Sequence, residues 1–148
     1  MASHPLVVGY DGLDPAKHAL DFALKESKLR NAPVAVVVVA AEHFATVDPY
    51  EPGAINVELL APPPPEGPVE IQPILAEARE RLAAAGVEGT VEWALGDPVT
   101  EILRVAQRDD ATAIVVGERH HSIFTRLLGA DTTEALIRDA TCEVIVAH

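Results

Sequence analysis

The residues able to do chemistry gather where apolar runs end. Asp11 directly follows the first run, Leu6 to Val8, and precedes Gly12. A carboxylate there can accept from an adenine amino group or a ribose hydroxyl, and equally from its own backbone in a turn; the two readings stand level. A second concentration follows the run Ala113 to Val116, which ends at Gly117. Next come a loop bearing Arg119, His120, His121 and Arg126, a capped helix and a last apolar run from Val144 to Ala147. Strand, loop, helix N-terminus and strand is the layout by which open α/β sheets hold a phosphate, because the first helical N–H groups are unpaired and the helix dipole favours an anion.

The other constellations carry less. His120 and His121 are adjacent, a poor arrangement for a metal without a second ligand pair, and His43 or His148 would have to converge on them by chance, so no metal is expected. Ser122 beside His121 is not a nucleophile–base pair, since neighbouring loop side chains point apart and no oxyanion hole is legible. No catalytic residue is assigned. Cys142, the single cysteine, reads as a small packed residue before a strand; it excludes an internal disulfide and agrees with a reducing compartment.

The elements that must position these groups follow from periodicity. Pro5 to Tyr10 predicts a first strand, and Asp14 with Pro15 an N-cap and first helical residue. Ala16, Ala19, Leu20, Ala23 and Leu24 continue a helix to about Leu29, stopped by Asn31 and Pro33. Val34 to Ala41, valine-rich on both faces, predicts a central parallel strand. Glu42 to Pro73 carries eight of the twelve prolines and no sustained period, which predicts an extended surface insertion at about 42–73. A helix follows through Ile74, Leu75, Ala78, Leu82 and Ala85, ended by Gly86, then a strand from Thr90 to Leu95. Gly96-Asp97-Pro98 turns into a helix bearing Val99, Ile102, Leu103 and Ala106. Ala113 to Val116 is the fourth strand, Thr132 to Asp139 the last helix and Glu143 to Ala147 the fifth strand. This alternation predicts one α/β domain over 1–148, doubly wound, with a five-stranded parallel sheet in the order 3-2-1-4-5 and four helices.

Composition bounds the partners. The chain has 148 residues and a net charge of −12, with 23 acidic against 11 basic residues. Such a surface repels nucleic-acid phosphate unless cations gather on one face, and the cluster at Arg119 to Arg126 is too sparse for that. No apolar run approaches the ~20 residues of a membrane helix. No secretory pattern opens the chain, so a cytoplasmic location is expected.

Four segments together carry a family resemblance: Val8-Gly9-Tyr10-Asp11-Gly12, Gly96-Asp97-Pro98, Ile114-Val115-Val116-Gly117, and Ala140 to Val146 reading ATCEVIV. In this order and spacing they resemble the universal stress protein family, with only the proline-rich stretch outside the match. The resemblance implies the five-stranded fold and a homodimer formed through the last strand, with Val144, Ile145 and Val146 at its centre. It also implies that ATP is bound by some members and not by others.

ATP-binding members carry glycine, two residues, glycine, nine residues, then glycine and serine or threonine. Placed without gaps, that pattern falls on Gly117, His120, Ala130 and Asp131, of which only Gly117 matches. A carboxylate about 4 Å from a phosphate charge costs on the order of 1 kcal/mol in water and several when partly buried. A lost hydroxyl bond adds about 1–3 kcal/mol, and together these lower affinity by about two orders of magnitude or more. Asp131 with Glu134 also reads as a capping box for the last helix. A shifted alignment puts Gly129 and Ala130 at the final glycine and hydroxyl positions; Arg119, His120, His121, Arg126, Thr132 and Thr133 then form an unconventional anion site.

The expectation is a stress-response homodimer that acts by association with an unidentified protein partner. It has no turnover chemistry, no required cofactor and no conventional ATP site. The alternative is an ATP- or AMP-binding switch using Asp11, Val39, Ala40, Gly117, His120, Gly129, Ala130, Asp131, Thr132 and Thr133. A third idea is a pH-responsive surface at His120 and His121.

Overall fold

The computed structural model of the chain describes residues 4–40, 65–118 and 132–148. In chain order the elements are β1 (Leu6–Gly9), α1 (Asp14–Arg30), β2 (Val34–Ala40), a 3-10 turn (Val69–Ile71), α2 (Gln72–Ala85), β3 (Gly89–Leu95), α3 (Pro98–Arg108), β4 (Ala113–Gly117), α4 (Thr132–Asp139) and β5 (Glu143–Ala147). The sheet is parallel throughout, ordered β3-β2-β1-β4-β5, as the alternation of patterns predicts.

Strand composition explains the order. Every residue of β1 and β2 is buried, as are Ala113 to Val116 of β4. Runs of β-branched residues without polar alternation suit strands covered on both faces. Even-numbered Val8, Val34, Val36 and Val38 pack beneath Ala19, Leu20 and Ala23 of α1 and Leu75, Ala78 and Leu82 of α2. Val7, Ala35, Val37 and Val39 meet Val99, Ile102 and Val105 of α3 and Leu136 of α4 on the other face.

Helix boundaries depart from expectation at two places. Leu13, not Asp14, holds the N-cap conformation of α1, and it makes no side-chain cap bond. Asp11 supplies the nearby carboxylate instead, as described below. α2 begins at Gln72, so Pro73 opens the helix and does not belong to the proline-rich insertion. Proline fits there because the first helical N–H groups have no intrahelical acceptor. The insertion's last residues are docked: the Trp93 indole N–H donates to the Pro65 carbonyl at 3.1 Å and Gln72 Nε2 to the Gly67 carbonyl at 2.9 Å. Gly67 has φ +90°, and a Cβ there would lie 3.3 Å from the Trp93 ring. The rest of the insertion, 42–64, lies outside the described residues, as does Ala41, which the sequence adds to the end of β2.

Tyr10, fully buried at the end of β1, ties the sheet to both helices of its face. Its hydroxyl donates to Glu77 of α2. Glu77 also meets Lys17 Nζ of α1 at 3.7 Å and Arg81 Nε at 3.4 Å, and Arg81 reaches Asp21 at 3.2 Å. Burial first, then the bond to Glu77, pushes the Tyr10 hydroxyl far above its ordinary value. The Tyr10 bond, aided by the charges of Lys17 and Arg81, holds Glu77 below the usual carboxylate range against the opposing effect of desolvation.

A carboxyl that ionises more readily folded than unfolded stabilises the fold above its unfolded pKa, and that contribution is lost as pH falls through the folded value. Glu77→Gln is therefore expected to flatten the decline of urea-unfolding stability from roughly pH 5 downward. Parallel acid limbs for the wild-type and substituted chains would contradict the assignment.

Candidate functional site

β2, β1 and β4 are neighbours, so their carboxyl ends bring Val39, Ala40, Asp11 and Gly117 to one edge of the sheet. In open α/β sheets this edge is where a ligand sits. Asp11 is half-buried, and its Oδ1 accepts from the Leu13 N–H at 2.9 Å. That bond closes a turn over Gly12, whose φ of +79° favours glycine. The turn role of Asp11 is thus present in the geometry, and it sets where α1 begins.

Val39 and Ala40 are buried and pair with Ala94 and Leu95 of β3. The Ala40 carbonyl accepts from Gly96 N–H at 3.0 Å, so this end of β2 is held by the β3–α3 turn. Asp97 caps α3: its Oδ2 accepts from Thr100 N–H at 3.0 Å and Thr100 Oγ1 at 2.6 Å. Its Oδ1 is buried with no hydrogen-bond partner among the described residues.

Gly117 closes β4 opposite Ala147. A Cβ at this position would lie 2.1 Å from the Pro15 carbonyl oxygen and 2.3 Å from its carbon. Real side chains do not approach backbone so closely, so the first turn of α1 requires a glycine here whatever binds nearby. Just beyond, Glu118 N–H donates to the Ala147 carbonyl at 2.9 Å, and its Oε2 lies 2.8 Å from His148 Nδ1. Thr132 opens α4 and Thr133 is half-buried in its first turn. His120, Gly129, Ala130 and Asp131 lie outside the described residues, as do Arg119, His121 and Arg126.

Cys142 is half-buried before β5, and burial pushes its thiol up from the ordinary value, which disfavours the nucleophilic thiolate. Among the described residues no group of three or more His, Cys, Asp or Glu could hold a metal ion, and no helix is long and apolar enough to cross a membrane. Sequence reasoning missed two contacts that shape this edge, Tyr10 with Glu77 and Gly117 with Pro15. A tyrosine closing an otherwise aliphatic strand was the one available signal for the first; the second left none.

Comparison with known proteins gives a consistent result. The model of the universal stress protein family matches residues 3–148. Universal stress protein YxiE of Bacillus subtilis (strain 168) is 28% identical, with 97% of each chain covered. The structure of the universal stress protein from Archaeoglobus fulgidus in complex with dAMP superposes with a TM-score of 0.68 at 25% identity, covering 100% of both chains. A universal stress protein in complex with cAMP shares the fold, with a TM-score of 0.70 at 24% identity over 100% of this chain and 98% of that one. Sheet order and a match over nearly the whole length agree: this chain belongs to the universal stress protein family.

Proposed function

We propose that this universal stress protein acts in the stress response by association, as a cytoplasmic homodimer joined through β5, without turnover chemistry or a conventional seat for ATP. The observation that carries this reading is the outer strand. β5 ends the sheet, and Val144, Ile145 and Val146 are each only partly buried there. An apolar edge with outward N–H and C=O groups invites pairing, and antiparallel pairing with a two-fold copy satisfies it with a closed interface.

The sheet's carboxyl edge supports the second half of the proposal. Gly117, the one residue matching the phosphate pattern in the ungapped alignment, has a packing reason to be glycine in its contact with Pro15. Asp11 already holds the β1–α1 turn through Leu13. Asp131 and His120, by residue type, oppose a triphosphate.

A second reading has a specific motive. The Archaeoglobus fulgidus relative is in complex with dAMP, which carries a single phosphate. A ligand with a single phosphate avoids most of the charge that Asp131 would oppose, and Asp11, Val39 and Ala40 lie together at the carboxyl edge of the sheet, where open α/β folds take ligands. On this reading the chain is an adenylate-binding switch.

Two measurements separate the readings. Sedimentation equilibrium is expected to find a dimer in the wild-type chain and a monomer in Ile145→Pro, with the unfolding midpoint followed alongside; an unchanged dimer would count against strand pairing. Calorimetry with magnesium-ATP and with dAMP is expected to give no saturable heat in the micromolar range. Micromolar binding that disappears in Asp11→Ala would establish the switch reading instead.

A further inference from the structure

The sheet ends in two strands, and β3 is the one that self-pairing through β5 leaves unused. Val34 N–H donates to the Glu88 carbonyl at one end of β3, and Gly96 N–H to the Ala40 carbonyl at the other. Even-numbered residues of β3 thus bond β2. By the alternation of the ladder, Val91, Trp93 and Leu95 turn their N–H and C=O groups outward. No strand pairs with that side among the described residues. Val91 and Trp93 are half-buried, and Leu95 is 37% exposed. Proteins commonly blunt such an edge with lysine, proline or a bulge. β3 reads GTVEWAL, with neither lysine nor proline, and its register with β2 is unbroken from Gly89 to Leu95. The edge is competent to take another strand.

The charges around it select the kind of strand. Glu88 stands at the amino end of β3. Glu66 lies between Pro65 and Gly67, the two residues seated on Trp93, and Glu70 follows in the 3-10 turn. All three are exposed, and none is in an ion pair among the described residues. Glu92, within β3, is already met by Arg108 at 3.0 Å, and the same guanidinium bonds Asp109 at 2.8 Å. Unpaired negative charge therefore stands beside both halves of the edge. A second β3 approaching it brings carboxylates against carboxylates, whereas a basic strand brings their complement.

We propose that the outer edge of β3 is a docking site for a partner protein, which adds an extended segment bearing lysine or arginine as a sixth strand. Backbone bonds supply the affinity, and Glu66, Glu70 and Glu88 select the sign of the partner's charge. The inference rests on the reading that this protein acts by association, and it names the surface and the chemistry of the partner.

Trp93, the only tryptophan of the chain, reports binding by its fluorescence. A short peptide of alternating lysine and valine, titrated into the full chain, is expected to bind saturably. The same peptide N-methylated throughout is expected to bind about tenfold more weakly or worse, and a glutamate-for-lysine version not at all. Val91→Pro removes only an outward N–H, so the unfolding midpoint is expected to hold while peptide affinity falls about tenfold or more. Glu70→Lys combined with Glu88→Lys changes two exposed positions and is expected to weaken the lysine peptide likewise, which keeps the test decisive if Val91→Pro folds poorly. Equal binding of the N-methylated peptide would show charge adhesion without strand addition and overturns the inference. So does a wild-type chain that takes no peptide because a second copy or another segment of the chain holds the edge. Sedimentation separates this outcome from the β5 reading: a monomer that binds the peptide overturns β5 pairing alone, and a dimer that binds none overturns the β3 site alone.

Discussion

Strands buried on both faces must satisfy every backbone N–H and C=O within the sheet, because no water reaches them and an unpaired buried group costs about 1–3 kcal/mol. β1, β2 and β4 meet this demand through their neighbours, and the ladder runs past their ends: Tyr10 N–H reaches Val37, Gly96 N–H reaches Ala40, and Glu118 N–H reaches Ala147. The same demand makes the outermost strand different in kind. Among the described residues β5 has a partner on one side only, yet it keeps the apolar sequence of an inner strand.

At the carboxyl edge the close-fitting residues serve the architecture first. Pro15 presses its carbonyl against Gly117, Asp11 holds Leu13, and Asp97 holds Thr100. Helices α1 and α3 therefore start at fixed points above the sheet. A ligand entering here would meet a rim already organised by turns and caps, so binding would require little ordering of these backbone segments.

How far the sequence revealed this depended on whether the signal was local. β2, with a valine run, and α3, with its Asp97-Pro98 start and apolar repeat, were readable because their neighbours in the chain are their reason for existing. α4 and β5 are legible to the residue by the same logic. The start of α2 departs from the sequence expectation because Pro73, which shares the insertion's composition, is also a good opening residue for a helix. Glu77 could not be foreseen as the acceptor for Tyr10, since the two are 67 positions apart and neither belongs to a pattern. Asp11 was legible as an even choice between turn and ligand, and its bond to Leu13 adds the turn without removing the ligand.

The chain contains a single tryptophan, and its indole is pinned by the carbonyl of Pro65, the last member of the four-proline run. Indole emission depends on the polarity around the ring and on what its N–H bonds. The protein thus carries an intrinsic optical probe at the junction between the proline-rich segment and β3, and release of that junction would register as a change in fluorescence without any label.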